Sequence, residues 1–250
     1  MSQIVAHGTL LRYDEVGVPQ APAILFLHGW RSSAAVWQPI LNRLKSQPRR
    51  MLALDLPGFG GSPALRTAAT VSNYAAVVDD FLTTLRVTSV VVVGHSFGGR
   101  IALKLATTNP SRVAKLVLVD SAGVRRSSLR RTVLQGMAKI VKPLFRLAAL
   151  RSTRTKIYES LGASDYVATP ELTKTLQHVI GEDLSPLLPL VRQPTLLVWG
   201  EDDTETPLVD GQTMAQNMLH AKLVVLPHAG HYSFLDAPDA FTRELTAFLS

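Results

Sequence analysis

The residues most able to do chemistry form one short stretch, Gly94-His95-Ser96-Phe97-Gly98-Gly99. Before it runs Ser89-Val90-Val91-Val92-Val93, a β-branched apolar run that reads as a buried strand. After it runs Arg100-Ile101-Ala102-Leu103-Lys104-Leu105-Ala106, rich in helix formers. A serine between a strand and a helix, with glycine two residues to either side, can stand on a turn tight enough to project its hydroxyl from the sheet. A helix starting there aims unpaired backbone N–H groups at the same spot, where negative charge can be stabilised. A serine hydroxyl is a weak nucleophile and needs a base within reach. Histidine fits best, and a carboxylate is needed to orient it. The chain has no cysteine, which excludes a thiolate nucleophile, a disulfide scaffold and cysteine metal sites.

The elements that position this stretch follow from apolar patterning. Ile4–His7 and Thr9–Val16 read as edge strands, and Ala23–Leu27 as a buried strand ending in His28-Gly29-Trp30. Ala34–Lys45 is expected as a helix capped by Ser33, and Tyr74–Leu85 as a helix capped by Ser72. Met51–Asp55 and Lys115–Asp120 are further buried strands, and the helix after the serine stops near Asn109-Pro110. This alternation argues a parallel sheet covered by helices on both faces. From Ser121 to about Leu190 the pattern is helical with no strand. Strands return at Thr195–Trp199 and Leu223–Leu226, with helices at Pro207–Leu219 and Pro238–Leu249. A length of 250 residues suits one α/β domain, and we expect residues 121–190 to form a helical cap inserted after the sixth strand.

With these motifs in this order, the sequence resembles the α/β-hydrolase fold superfamily, in its serine esterase and hydrolase branch. The resemblance implies a mostly parallel sheet of about eight strands flanked by helices, with a helical cap. It also implies site residues. His231, in Ala229-Gly230-His231-Tyr232, follows the last strand, where the superfamily places its histidine. Members commonly show Gly-x-x-Asp with Pro four residues later, and Gly200-Glu201-Asp202-Asp203 with Pro207 fits that frame, selecting Asp203. The chain order Ser96, Asp203, His231 is the one expected on this fold. Asp202, Glu201 and Asp120 are rival acids, and His228 is a rival base. His28-Gly29 matches the family's His-Gly pattern, so the oxyanion donors are expected to be the backbone N–H groups of Trp30 and Phe97. Trp30, Phe97, Tyr232 and Phe234 are expected to line an apolar substrate pocket, although Phe97, Tyr232 and Phe234 serve equally as core. The segment from Asp55 to Ser62 also resembles the family and reads as structural. His28, His95 and His231 lack a carboxylate or thiolate set at ligand spacing, so no metal is expected, and no cofactor.

The net charge is +7 and unevenly placed: Ser121–Ser160 holds ten Lys or Arg against one acid, Glu159. Two readings stay open. The charges are a solvated face of the cap, or they meet an acidic partner such as an anionic substrate, an acyl carrier protein or a lipid surface. Nucleic acid is not expected, because no recognition motif accompanies the charge. Residues 1–8 lack a basic start followed by an apolar run, and no apolar run approaches a membrane span, so a cytoplasmic protein is expected. Three functions compete. The first is hydrolysis of a carboxylic ester or thioester of small to medium size through an acyl-serine. The second is carbon–carbon hydrolysis of the meta-cleavage-product type, whose members often carry Asn where this chain has His95. The third is a slow-turnover small-molecule receptor on the same scaffold.

Overall fold

A computed structural model describes residues 2–125 and 170–250 of the chain. The first hairpin joins β1 (Ser2–Ala6) to β2 (Thr9–Gly17), antiparallel. His7 and Gly8 both take positive φ, 50° and 68°. That is the geometry of a two-residue hairpin turn, so the first strand ends at Ala6 and not at His7. The next strands are β3 (Ala23–Leu27), β4 (Arg50–Leu54), β5 (Val90–His95) and β6 (Val113–Val119). β7 (Thr195–Gly200) and β8 (Ala221–Leu226) complete one eight-stranded sheet in the order β1-β2-β4-β3-β5-β6-β7-β8. All pairings from β4 to β8 are parallel. The two central strands β3 and β5 are buried at every residue, as strands covered on both faces must be.

Helices cover both faces. α1 (Gln38–Leu44) follows a 3₁₀ turn at Ala34–Trp37. It packs Ile40, Leu41 and Leu44 on one face of the sheet, beside the closing helix α7 (Pro238–Leu249). α2 (Val71–Thr84), α3 (Phe97–Thr108) and α5 (Leu208–Asn217) lie on the other face. Between α5 and α7 lies the single turn α6 (Ser233–Asp236).

Two expected caps are corrected. Ser33 makes no side-chain cap; instead Asp55 Oδ1 accepts the Ala34 N–H at 2.6 Å, while Asp55 Oδ2 accepts the Gly61 N–H at 2.7 Å. α2 starts before Ser72, because Thr70 and Asn73 cap reciprocally and buried Val71 belongs inside the helix.

Of the expected cap at 121–190, residues 126–169, which hold most of the basic stretch, lie outside the described residues. Residues 121–125 carry no helix, and from Pro170 on the described part holds a 3₁₀ turn at Pro170–Leu172, α4 (Thr173–Gly181) and a 3₁₀ turn at Ser185–Leu190. This part is tied down to both α-helical neighbours of the serine turn. Thr175 Oγ accepts the Ala69 N–H at 3.0 Å, ahead of α2. Arg100 on α3 donates to the Glu182 carbonyl at 2.9 Å, and Lys104 pairs with the Glu182 carboxylate at 2.6 Å. Among the described residues no helix is long and apolar enough to cross a membrane.

Candidate active site

The register of the central strands places the candidate residues at one end of the sheet. Leu27 at the end of β3 pairs with Gly94 of β5, so the His28-Gly29-Trp30 loop and Ser96 leave the sheet side by side. Ser96 stands between β5 and α3 with φ 51° and ψ −109°, a left-handed conformation costly for a residue with a side chain. Backbone bonds hold it there: its N–H donates to Val119 O at 3.1 Å, and its carbonyl accepts from Gly99 at 3.1 Å and Ala122 at 3.2 Å. Gly98 is needed for contact between loops: a Cβ there would lie 2.3 Å from Leu27 O and 2.8 Å from His28 O.

His231 and Asp203 meet. Asp203 Oδ2 lies 2.9 Å from His231 Nδ1. The carboxylate is buried and held by its own loop: Oδ1 accepts the N–H groups of Glu205 at 2.8 Å and Thr206 at 3.0 Å, and Thr206 Oγ donates to Oδ2 at 2.7 Å. Burial opposes the charge of Asp203, but the hydrogen bonds from His231 and Thr206 and the attraction of His231 outweigh it, and its pKa is lowered. Burial also disfavours the charged form of His231. Its bond to Asp203 and the charges of Asp203, Glu205 and Asp120 prevail, so its pKa is raised. Accepting at Oδ2, Asp203 places the ring proton on Nδ1 and leaves Nε2 as the basic nitrogen. Nε2 faces Glu205 Oε2 at 3.4 Å, while Ser96 Oγ makes no hydrogen bond among the described residues.

Two buried histidines brace the loops around Ser96. His95 is fully buried; its Nε2 donates to the carbonyl of His231 at 2.8 Å, and its ring lies 4.8 Å from that of His231. Burial, then repulsion from His231, pushes its pKa down to about 3, so it is neutral. His28 donates from Nδ1 to the Gly29 carbonyl at 2.7 Å and accepts the Leu56 N–H at Nε2, 3.0 Å. Burial pushes it down to about 4. In a trans peptide the C=O and N–H point oppositely, so drawing the Gly29 carbonyl toward His28 turns the Trp30 N–H away from it. The N–H groups of Trp30 and Phe97 find no acceptor among the described residues.

The expected pocket residues divide. Trp30 is half-buried against Phe59 and Phe97, with ring centroids 4.9 and 5.2 Å away, and Phe97 also packs edge-on against Tyr74 at 4.9 Å. Tyr232 is partly exposed beside His95, 4.8 Å between rings. Phe234 is corrected to core. It is fully buried and stacked on Trp37 at 4.2 Å, in the cluster with α1 and α7. The rival acid Asp120 makes no hydrogen bond to His231; its oxygens accept from Gly200 and Ser233. Asp202 and Glu201 are exposed, and His228 sits in the turn after β8 with φ 56°. Sequence reading missed Thr206 and Glu205. Thr206 had a signal in its position three residues after Asp203, the spacing of a side-chain-stabilised turn. Among the described residues no cluster of three His, Cys, Asp or Glu could hold a metal ion.

Comparison with known proteins agrees with this architecture. The chain is 32% identical over 241 residues to a pimeloyl-[acyl-carrier protein] methyl ester esterase of Nitrosomonas europaea, covering 88% of this chain and 92% of that one. It is 26% identical over 271 residues to a 2-hydroxy-6-oxononadienedioate/2-hydroxy-6-oxononatrienedioate hydrolase of Burkholderia vietnamiensis, covering 98% and 93%. An esterase structure from Exiguobacterium antarcticum superposes with a TM-score of 0.79 at 25% identity, covering 99% of this chain and 98% of the other. Residues 24–244 match the model of the alpha/beta hydrolase family, and the chain belongs to that family.

Proposed function

We propose that this hydrolase cleaves carboxylic esters or thioesters through an acyl-serine, with Ser96 as nucleophile, His231 as base and Asp203 as the orienting acid. The observation that carries the reading is the Asp203 Oδ2–His231 Nδ1 bond of 2.9 Å, which leaves Nε2 as the proton acceptor on a loop tied to the serine strand through His95. Ser96 Oγ attacks the ester carbonyl as His231 takes its proton. The oxyanion that forms is received by the N–H groups of Trp30 and Phe97. His231 returns the proton to the leaving alcohol or thiol as the acyl-oxygen or acyl-sulfur bond breaks. Water, deprotonated by the same histidine, then attacks the acyl-serine, and His231 passes that proton to Ser96 Oγ as the acyl–serine bond breaks and the acid leaves. The proton transfer needs Nε2 of His231 within hydrogen-bond reach of Ser96 Oγ, a contact that such sites often complete only with substrate bound.

The aromatic wall of Trp30, Phe97 and Phe59 supports an apolar acyl or aryl group. The ten basic residues between Ser121 and Ser160 support an anionic or carrier-bound acyl substrate, and the similarity to an esterase named for an acyl-carrier-protein ester supports it further. Reversal of four of these charges should then raise the apparent KM for a carrier-bound ester in a salt-dependent way and spare small neutral esters. The similarity to a dienedioate hydrolase favours a second reading, carbon–carbon hydrolysis by the same residues.

Hydrolysis of p-nitrophenyl esters from acetyl to dodecanoyl, with Ser96→Ala as control, tests the proposal. A rate that peaks at one chain length and vanishes in the control supports it. Turnover of the control within about tenfold of wild type would assign the nucleophile elsewhere. Trapping by a serine-directed phosphonate without ester turnover would shift the reading to thioesters, carrier-bound acyl chains and dienones.

A further inference from the structure

Asp120, the residue after β6, is fully buried and takes no direct part in the chemistry above. Its carboxylate accepts three hydrogen bonds from two different loops. Oδ1 accepts the N–H of Gly200 at 2.8 Å, where β7 ends and the loop to Asp203 begins. Oδ2 accepts the N–H of Ser233 at 3.1 Å and its hydroxyl at 2.5 Å, two residues past His231. The backbone carbonyl of Asp120 lies 2.9 Å from Thr206 Oγ, the hydroxyl that also reaches Asp203. The residue itself is pinned by its N–H to Val198 O at 2.9 Å and held at φ 44°.

We propose that Asp120 is a positioning residue whose carboxylate ties the acid loop to the base loop and so fixes the Asp203–His231 pair relative to Ser96. This rests on the hydrolytic reading of those three residues. The chemistry of the group fits the task. An ionised carboxylate is acceptor-only with two oxygens, and three converging donors need that. Burial raises its pKa to about 7, against the hydrogen bonds from Ser233 and Gly200, and the Asp203 charge adds to the rise. An apolar side chain would fill the space without that penalty but would leave three buried donors unpaired. Asparagine keeps the shape and loses the function: its amide group would set N–H against the Ser233 N–H, or, flipped, against that of Gly200.

The test measures Asp120→Asn and Ser233→Ala, each alone and combined with Asp203→Asn, on the best p-nitrophenyl ester. The folded fraction is followed by circular dichroism and the His231 Nδ1 proton by one-dimensional NMR. In the single variants kcat should fall roughly ten- to a hundredfold for Asp120→Asn, less for Ser233→Ala. KM should stay within about twofold. The Nδ1 proton resonance should move or broaden, and little further loss should appear in the Asp203→Asn background, because the effect passes through that pair. Folded variants with unchanged kcat, or losses that multiply with that of Asp203→Asn, would overturn the proposal. If Asp120→Asn does not fold, Ser233→Ala decides by the same criteria. Turnover that survives Ser96→Ala would overturn the underlying hydrolytic reading instead. Turnover lost there but intact in both single variants overturns the positioning role alone.

Discussion

The Glu205 carboxylate lies 3.4 Å from Nε2 of His231, so both nitrogens of that ring face a carboxylate. The charge on Glu205 helps to raise the His231 pKa against the effect of burial. A base must be neutral to accept a proton, so with His231 in its proposed role activity should fall as pH drops through that raised pKa. Glu205→Gln removes one stabilising charge from the imidazolium and lowers the pKa. Its kcat/KM profile should therefore keep activity to lower pH than wild type, with the gap narrowing in salt because Glu205 is exposed. An acid limb that does not move would show that Glu205 leaves the base untouched.

Asp203→Asn should cost far more rate than Asp202→Asn. Asp203 meets His231 and three donors of its own loop, whereas Asp202 is exposed. The amide would put the wrong tautomer on His231, a loss of roughly a thousandfold or more in kcat. The same steady-state assay ranks the two, and the reverse order would move the acid to Asp202.

Phe234→Ala should act on stability and not on substrate choice. The ring is fully buried and stacked on Trp37 at 4.2 Å. Its removal should cost about 3–5 kcal/mol in urea unfolding. The chain-length preference of the folded variant should match wild type; a shifted preference would return Phe234 to the pocket.

The two buried histidines set an acid limit on stability. His28 and His95 titrate near 6.5 when unfolded and at about 4 and about 3 when folded, chiefly because burial disfavours their charge. Below 6.5 the unfolded chain takes up protons that the folded chain refuses, so stability falls as pH drops from about 6.5 toward those values. Urea midpoints across this range should show the fall, and His28→Gln should make it shallower. A slope equal to wild type would contradict the neutral assignment of His28.

The strand framework was legible because β3 and β5 are buried on both faces, which forces an unbroken apolar run. The serine turn was legible because close packing of loop on helix demands glycine at fixed offsets. What stayed hidden depends on partners distant in sequence. Ser33 looks like the cap of the helix after β3, yet Asp55 supplies the acceptor, and nothing local to either residue says so. Phe234 reads the same in a pocket or in the core until Trp37 is placed against it. Thr206, Glu205 and Ser233 gain their contacts only when the loops after β6, β7 and β8 converge, and strand order decides that convergence.

That strand order also explains why the candidate site lies where it does. The chain leaving β3 turns to the face that holds α1, and the chain leaving its neighbour β5 turns to the opposite face, which holds α3. Two adjacent strands whose connections part in this way leave an open crevice between their carboxyl ends, the switch point of a doubly wound sheet. Trp30 and Ser96 stand on its two rims. The crevice thus belongs to the winding of the chain, and the side chains along its rims are left to furnish it. Relatives of this fold can change what they cleave without rebuilding where they cleave it.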